Sequence, residues 1–316
     1  MTAAGALGAA SQVALIGGGS PLLVGLMRQV RARLEGRAGA GVAQPWRDLR
    51  KLLRKEPITP HGTGWVFRSA PLLLTATVLV VAAVVPFATT NSPLDPVADL
   101  IAVAALLALG TVALALAGLD TGTAFGGMGA SREMTVMSLV EPTILLSVFA
   151  LSVRVGSTNL AAIVGATLHD PRAVISPASL LAGVALAVVT MAEAGRLPVD
   201  NPSTHLELTM IHEAMILEYA GPDLALVEWA SAMRLGVLLG LLASLFAPWG
   251  IATSATGLAA IPVALVVFAA KAATLGVVLA AGEVFLAKLR LFRVPELLAG
   301  SFLLALLAVA ASFFLD

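Results

Sequence analysis

The sequence predicts an all-α integral membrane protein: eight transmembrane helices joined by loops, with amphipathic helices in two cytoplasmic loops. Three observations predict it. The 316 residues are 59% hydrophobic and only 12% charged, with mean hydropathy +0.96, whereas a soluble domain carries about 25% charged residues. Eight apolar stretches reach the roughly 20 residues that a bilayer requires. The basic residues are also segregated along the chain in a way that a globular core does not demand.

The spans are expected near 5–27, 68–88, 97–118, 134–155, 173–194, 223–246, 258–282 and 296–315. No basic region precedes the first apolar run, so it is read as an uncleaved span, not as a secretory signal. Gly17-Gly18-Gly19 within it marks a close-packing point or a kink. Glu141-Pro142 interrupts the fourth span and Ser176-Pro177 the fifth, breaks that bundle neighbours accommodate. "GGMGAS" (Gly126 to Ser131) is placed in a short loop before the fourth span and follows no strand, so it is no dinucleotide fingerprint. No internal repeat or long linker divides the chain, which is read as a single membrane domain over 1–316.

Orientation follows from lysine and arginine. Ten of the nineteen basic residues fall between Arg28 and Arg68. With that loop cytoplasmic, the same side receives Arg132, Arg196, Lys288, Arg290 and Arg293, and the opposite side only Arg154 and Arg172. This bias places loops 28–67 and 195–222 in the cytoplasm and both termini outside. Equal numbers of acids and bases (nineteen each) leave net charge silent about partners. The absence of cysteine excludes disulfides, cysteine-ligated zinc, iron–sulfur clusters and thiol catalysis on this chain. Nothing suggests nucleic-acid binding, a Walker A loop or a serine-hydrolase elbow.

The first loop, "LMRQVRARLEGRAGAGVAQPWRDLRKLLRKEP", continues the first span as a basic helix. It breaks over Gly36 to Gly41 and resumes with Trp46, Leu49, Leu52 and Leu53 at helical spacing. Such a helix suits the headgroup layer, attracted to anionic lipid, or a surface on which a cytoplasmic partner docks.

The second loop, "AEAGRLPVDNPSTHLELTMIHEAMILEYAG", concentrates ionisable groups: Glu193, Arg196, Asp200, Glu207, Glu213, Glu218 and two histidines. Thr204 and Glu207 match a capping box, Asn201-Pro202 offers a rival start, and Gly221-Pro222 ends the segment. As one helix it places His205, His212 and Glu213 on one face, and Glu207 with Glu218 on the apolar one. For Glu207 capping competes with function; for Glu218 no cap offers an explanation, and a proton-handling role is expected. "HEAMI" is not HExxH, and His205, His212 and Glu213 are expected to face solvent or a partner, not a metal.

Charges inside spans are costly and usually functional. Glu141, Glu228, Arg234 and Lys271 lie within spans, and Glu193 and Glu283 at span ends. They are read as a chain of ionisable groups suited to a proton relay, against structural ion pairing. Glu228 and Arg234, six apart, cannot form a simple helix pair.

These motifs resemble the family that holds respiratory complex I subunit 1 and its hydrogenase relatives. In the first loop Arg33, Gly36, Arg37, Gln44, Pro45, Asp48, Lys51, Lys55 and Glu56 fall on its pattern. "GASREMTVMSLVE" matches through Arg132 and Glu141, the second loop through Glu193, Arg196, Pro198 and Asp200, and "LRLFRVPELL" through Arg290 and Arg293. "RLPVDNPSTHLELTMIHEAMILEY" is most similar to the branch of formate hydrogenlyase subunit 4 and the hydrogenase-4 membrane component. One departure is Ala38-Gly39, where the family usually has Gly-Pro.

The resemblance implies a non-catalytic subunit of an oxidoreductase complex in the prokaryotic cytoplasmic membrane. Its implied partners are hydrogenase large and small subunits, iron–sulfur subunits and antiporter-like membrane subunits, with the [NiFe] centre and clusters on those partners. Arg28, Arg33, Arg37, Asp48, Lys51, Lys55, Arg290 and Arg293 would dock the arm. The relay or cavity would use Glu141, Glu193, Arg196, Asp200, Glu207, Glu213, Glu218, Glu228, Arg234, Lys271 and Glu283. The rivals are a quinone-site subunit of an NADH or ferredoxin dehydrogenase, a stand-alone ion transporter, against which the missing repeat argues, and a structural anchor.

Overall fold

The computed structural model describes residues 3–200, 210–253, 259–286, 289 and 293–314. Among them there is no strand, only two isolated bridges. The helices are α1 (Ala3–Leu34), α2 (Gln44–Leu52), α3 (Trp65–Val84), α4 (Leu100–Asp120), α5 (Ala124–Val155), α6 (Leu160–His169), α7 (Pro177–Glu193), α8 (His212–Ile216), α9 (Gly221–Phe246), α10 (Ala260–Phe285) and α11 (Val294–Phe314).

Seven of these, α1, α3, α4, α5, α9, α10 and α11, are long and apolar enough to cross a membrane. The remaining predicted span, 173–194, is represented by α7, 17 residues long and so about 26 Å at ~1.5 Å per residue. Helix α9 is the axis of the bundle, packed against α1, α3, α7 and α10, while α11 closes the other side against α5 and α7. The long helices alternate in direction. Phe87 and Phe268 approach Gly240 at the end where α3 and α9 finish and α10 begins; Tyr219 stacks on Phe67 at the opposite end, with ring centroids 4.1 Å apart. The start of α1 and the end of α11 therefore lie at one end of the bundle. Arg154 and Arg172 lie there too, whereas the basic stretch 28–68, Arg132 and Arg196 gather at the other.

Local chemistry explains most boundaries. Pro21 inside α1 has no N–H to offer the carbonyl of Gly17, and Trp229 Nε1 donates to that oxygen at 2.8 Å instead. Trp46 Nε1 donates to the next carbonyl, Gly18, at 3.0 Å. The glycine triplet is thus where α2 and α9 are pinned to α1. Helix α2 buries Pro45 and Leu49; of the other apolar positions expected on that face, Trp46 and Leu52 are half-buried and Leu53, just past its end, is exposed.

Two expectations are corrected. The fourth span begins at 124, not 134: Thr123 accepts from Gly126 N at 3.1 Å, and "GGMGAS" is helical. Its glycines serve close packing, for a Cβ on Gly129 would meet Ala214 Cβ at 2.9 Å. The single helix expected from Thr204 is not formed over the described part of that segment, since Met210 and Ile211 are non-helical. Asp200 Oδ2 instead accepts the amides of Ile211 and His212 at 3.3 and 3.4 Å, and only the short α8 follows. The face on which Glu207 and Glu218 were to project alike therefore does not exist as one helical surface.

A candidate ion-coupling site

Where the chain turns between α7 and α8, a cavity of about 800 Å³ opens beside α1, α2, the first half of α9 and the end of α10. Its wall carries Arg28, Arg31, Arg37 and Arg196, and Asp48, Asp200, Glu213, Glu228 and Glu283, with His212. Apolar Val24, Met27, Leu49, Leu224 and Leu235 complete it. The backbone turns tightly at its floor: Arg196 N donates to Met191 O at 2.9 Å and Asp200 N to Arg196 O at 3.1 Å. Asp200, 4% exposed, thereby reaches the start of α8.

Arg196 and Arg31 flank Glu283 at 3.7 and 3.9 Å, too long for direct hydrogen bonds. Burial pulls the Arg196 guanidinium below its usual range, the Glu283 carboxylate opposes that shift, and Arg28 and Arg31 add to it. Glu283 Oε1 has no hydrogen-bond partner, so this site is held by charge and not by saturated hydrogen bonding.

A second cavity of about 80 Å³ adjoins the first on the side of the middle of the bundle. The two share Ala194, Gly195, Asp200, His212 and Ser231. Its inner wall is Glu133, Glu193, Arg234 and Thr111. Arg234, six residues beyond Glu228, turns away from it: its Nη2 bonds Glu193 and Thr111, and donates to Leu107 O at 3.1 Å. Glu133 and Glu141 lie within electrostatic reach of the same guanidinium. Room is left by Gly110, where a Cβ would meet Thr77 Oγ1 at 2.9 Å and approach Arg234 Nη1 at 3.9 Å.

The predicted residues thus separate into groups. Glu193, Arg196, Asp200, Glu213, Glu228, Arg234 and Glu283 line the cavities, and Glu141 faces Arg234 from α5, with Oε1 buried and unpartnered. Glu218 lines neither cavity. Lys271 lies at the far end, its ammonium bonded to the carbonyls of Ala247 and Trp249 beyond α9, a cation satisfying a helix C-terminus. Of the docking residues, Arg28, Arg33, Arg37, Lys51, Lys55 and Arg293 are exposed, and Asp48 is half-buried, accepting from Gln44 at 2.8 Å. Glu207, His205, Lys288 and Arg290 lie outside the described residues.

Glu133 is the cavity residue that the sequence reading passes over. A span boundary set at 134 leaves it in a loop; the Thr123 cap ten residues earlier is the signal that moves it inside. Among the described residues no group of three or more histidine and carboxylate side chains is placed to hold a metal ion. His212 Nε2 instead faces Ser231 Oγ at 3.3 Å.

The sequence pattern of the family described as NADH dehydrogenase matches residues 9–314. The chain belongs to the NADH dehydrogenase subunit 1 family. It is 36% identical to formate hydrogenlyase subunit 4 of Escherichia coli (strain K12), over 92% of each chain. It is 37% identical to hydrogenase-4 component C of the same organism, over 73% of this chain and 72% of the relative. NADH-quinone oxidoreductase subunit 8 of Rhodothermus marinus is 29% identical over 66% of this chain and 61% of the relative. The fold matches a chain in the structure of the membrane-bound sulfane sulfur reductase, an archaeal respiratory membrane complex, with TM-score 0.83 at 18% identity over 97% of this chain and 98% of that one. Family membership and the seven long apolar helices make this an integral membrane protein, and the curated relatives are membrane subunits of oxidoreductase complexes.

Proposed function

We propose that the chain is the membrane-anchoring, ion-coupling subunit of a membrane-bound [NiFe]-hydrogenase complex of the formate hydrogenlyase type. The observation that carries this reading is that two cavities adjoin, sharing five lining residues, with a roomy charged mouth on one side and carboxylates buried beside Arg234 on the other. The similarity to formate hydrogenlyase subunit 4 over 92% of the chain supports the hydrogenase branch. In this reading α7 is the eighth span, the cavity end faces the cytoplasm, and both termini face outward from a prokaryotic cytoplasmic membrane.

The hydrogenase large and small subunits and the iron–sulfur subunits dock over the mouth on Arg28, Arg33, Arg37, Asp48, Lys51, Lys55, Arg290 and Arg293. Antiporter-like subunits adjoin the chain in the membrane, and lipid covers the rest. With no cysteine, this chain cannot supply thiolate ligands, so the [NiFe] centre and clusters belong to those partners. Its own residues hold and move protons. Arg196 and Asp200 fix the floor, Glu213, Glu228 and Glu283 exchange protons at the mouth, and Glu193 and Glu141 carry them inward past Arg234.

The test is isolation of the native complex in mild detergent, followed by assay for nickel, iron and hydrogen-dependent dye reduction. Nickel with hydrogen activity is expected. Iron without nickel, with NADH- or quinone-linked activity, moves the chain to the alternative branch, whose support is the volume of the mouth and its apolar wall of Val24, Met27, Leu49, Leu224 and Leu235. Ion movement by the purified chain alone would instead make it a transporter. Within the complex, Glu141→Gln is expected to abolish ion movement and leave hydrogen-dependent dye reduction intact; loss of the partner arm instead sinks that role.

A further inference from the structure

The small cavity holds a charge imbalance that the proposed relay does not yet use. A cavity of about 80 Å³ accommodates roughly two or three waters at ~30 Å³ each, and its lining is polar enough to bind them. Arg234 serves the carboxylates of Glu193 and Glu133, with Glu141 also within its field, and the His212 imidazole faces Glu133 as well. Asp200 is already engaged by the amides of Ile211 and His212, and His212 by Ser231. Arg234 Nε is buried with no partner in the protein, an orphaned donor at the wall of a water-sized space.

Three carboxylates grouped around one guanidinium and one imidazole inside a membrane cannot all ionise without a large penalty. At least one proton must stay among them. We propose that the small cavity is a proton-exchange chamber in which Glu133 is a second proton-carrying carboxylate opposite Glu193, with Arg234 as the positioning residue between them. The inference rests on the ion-coupling role proposed above and adds a residue to it.

The exchange conserves charge. Glu133 as the acid gives its proton to chamber water, and that water passes a proton to the Glu193 carboxylate. Glu193 becomes neutral as Glu133 becomes anionic, and Arg234 changes its principal counter-ion from one to the other. Before and after, the trio carries one positive and one negative charge, so no net charge is created in the membrane. In this proposal protons reach Glu133 from the large cavity past Gly195 and His212, which line both cavities. The groups that set the balance are Glu133 and Glu141 on α5, Glu193 on α7, His212 on α8, Arg234 on α9 and Asp200 before α8.

The test uses the intact complex reconstituted in liposomes, with Glu133→Gln, Glu133→Asp and Glu193→Gln compared for ions moved per electron pair. Glu133→Gln is expected to lower that ratio roughly tenfold or more while electron transfer by the partners persists. Glu133→Asp is expected to recover much of it. If Glu193→Gln uncouples and Glu133→Gln keeps the wild-type ratio, Glu133 is no carrier and the wider reading stands. If neither changes the ratio, the ion-coupling role itself fails. Should the Gln variant not assemble, infrared difference spectra of the Glu133→Asp complex decide: the protonated-carboxyl C=O band is expected to shift, and an unmoved band overturns the assignment.

Discussion

The two ends of the bundle treat buried polar groups in opposite ways. At the far end Gln12, 0% exposed, donates to Ala82 O and Val85 O, both at 3.0 Å, and accepts from Ala88 N at 3.2 Å. Lys271 does the same for the carbonyls that follow α9. Each uses its polar atoms to finish a helix, as backbone groups without water require. Asp95 Oδ1, and Ser147 Oγ in the half of α5 nearer that end, are unpartnered exceptions there. At the cavity end Glu141, Glu283 and Arg234 each leave a buried atom unpartnered, and Glu283 faces Arg196 and Arg31 at 3.7 and 3.9 Å without a direct hydrogen bond. A group whose bonds are consumed by backbone is held in place; a group facing a cavity with valence to spare can change protonation.

The comparison breaks most visibly at Arg234. Arg234→Leu leaves the Glu193 carboxylate buried without its cation, and a loss of about 3–5 kcal/mol is expected. It should register as a lower unfolding temperature of the detergent-solubilised complex. Adding Glu193→Leu should restore much of that stability without restoring ion movement, which separates the fold's need for the pair from the function's. If the double variant moved ions normally, the cavity end would be structural in the same sense as the far end. Gln12→Leu probes the other side: it takes the side-chain donor from the carbonyls of Ala82 and Ala83 and the acceptor from Ala88 N, while Val85 O keeps Phe87 N, with an expected loss of about 1–3 kcal/mol. The ion-to-electron ratio should not change. A changed ratio would erase the distinction between the two ends.

Much of this division is legible in the sequence, and its limits are physical. Apolar length locates every long helix, and the arginine bias matches the crowding of basic residues at the cavity end. Spacing also shows that Glu228 and Arg234 cannot pair along one helix; it cannot show that Arg234 finds Glu193, 41 positions earlier. Lys271 reads as a relay residue because a lysine in an apolar run carries no mark of the carbonyls awaiting it after α9. The second loop reads as one helix because a capping box is a local signal, whereas the contact that starts α8 comes from Asp200, 11 residues before Ile211. Glu133 escapes notice for the reverse reason: glycines at 126, 127 and 129 read as loop, yet Gly126 and Gly129 let α5 approach its neighbours closely.

The smallest expected effect sharpens the far end further. Asp99 caps α4, accepting from Ile101 N at 2.8 Å, and also accepts from the Thr158 hydroxyl. That hydroxyl is the main reason its carboxyl is held below the usual range, with the backbone amides adding and burial opposing. A carboxylate with a depressed folded pKa stabilises the fold above the unfolded value, about 3.9. The contribution is lost as pH falls through the folded value. Thr158→Val removes the larger cause and should cost about 1 kcal/mol at neutral pH. The gap between variant and wild type should narrow as the solution is acidified below about pH 4, because protonation removes from the wild type what the substitution has already taken. Unfolding temperatures of the two proteins across that range test it. A gap that stayed constant would mean that Thr158 contributes through packing and not through the Asp99 charge, leaving the far end fixed by backbone hydrogen bonds alone.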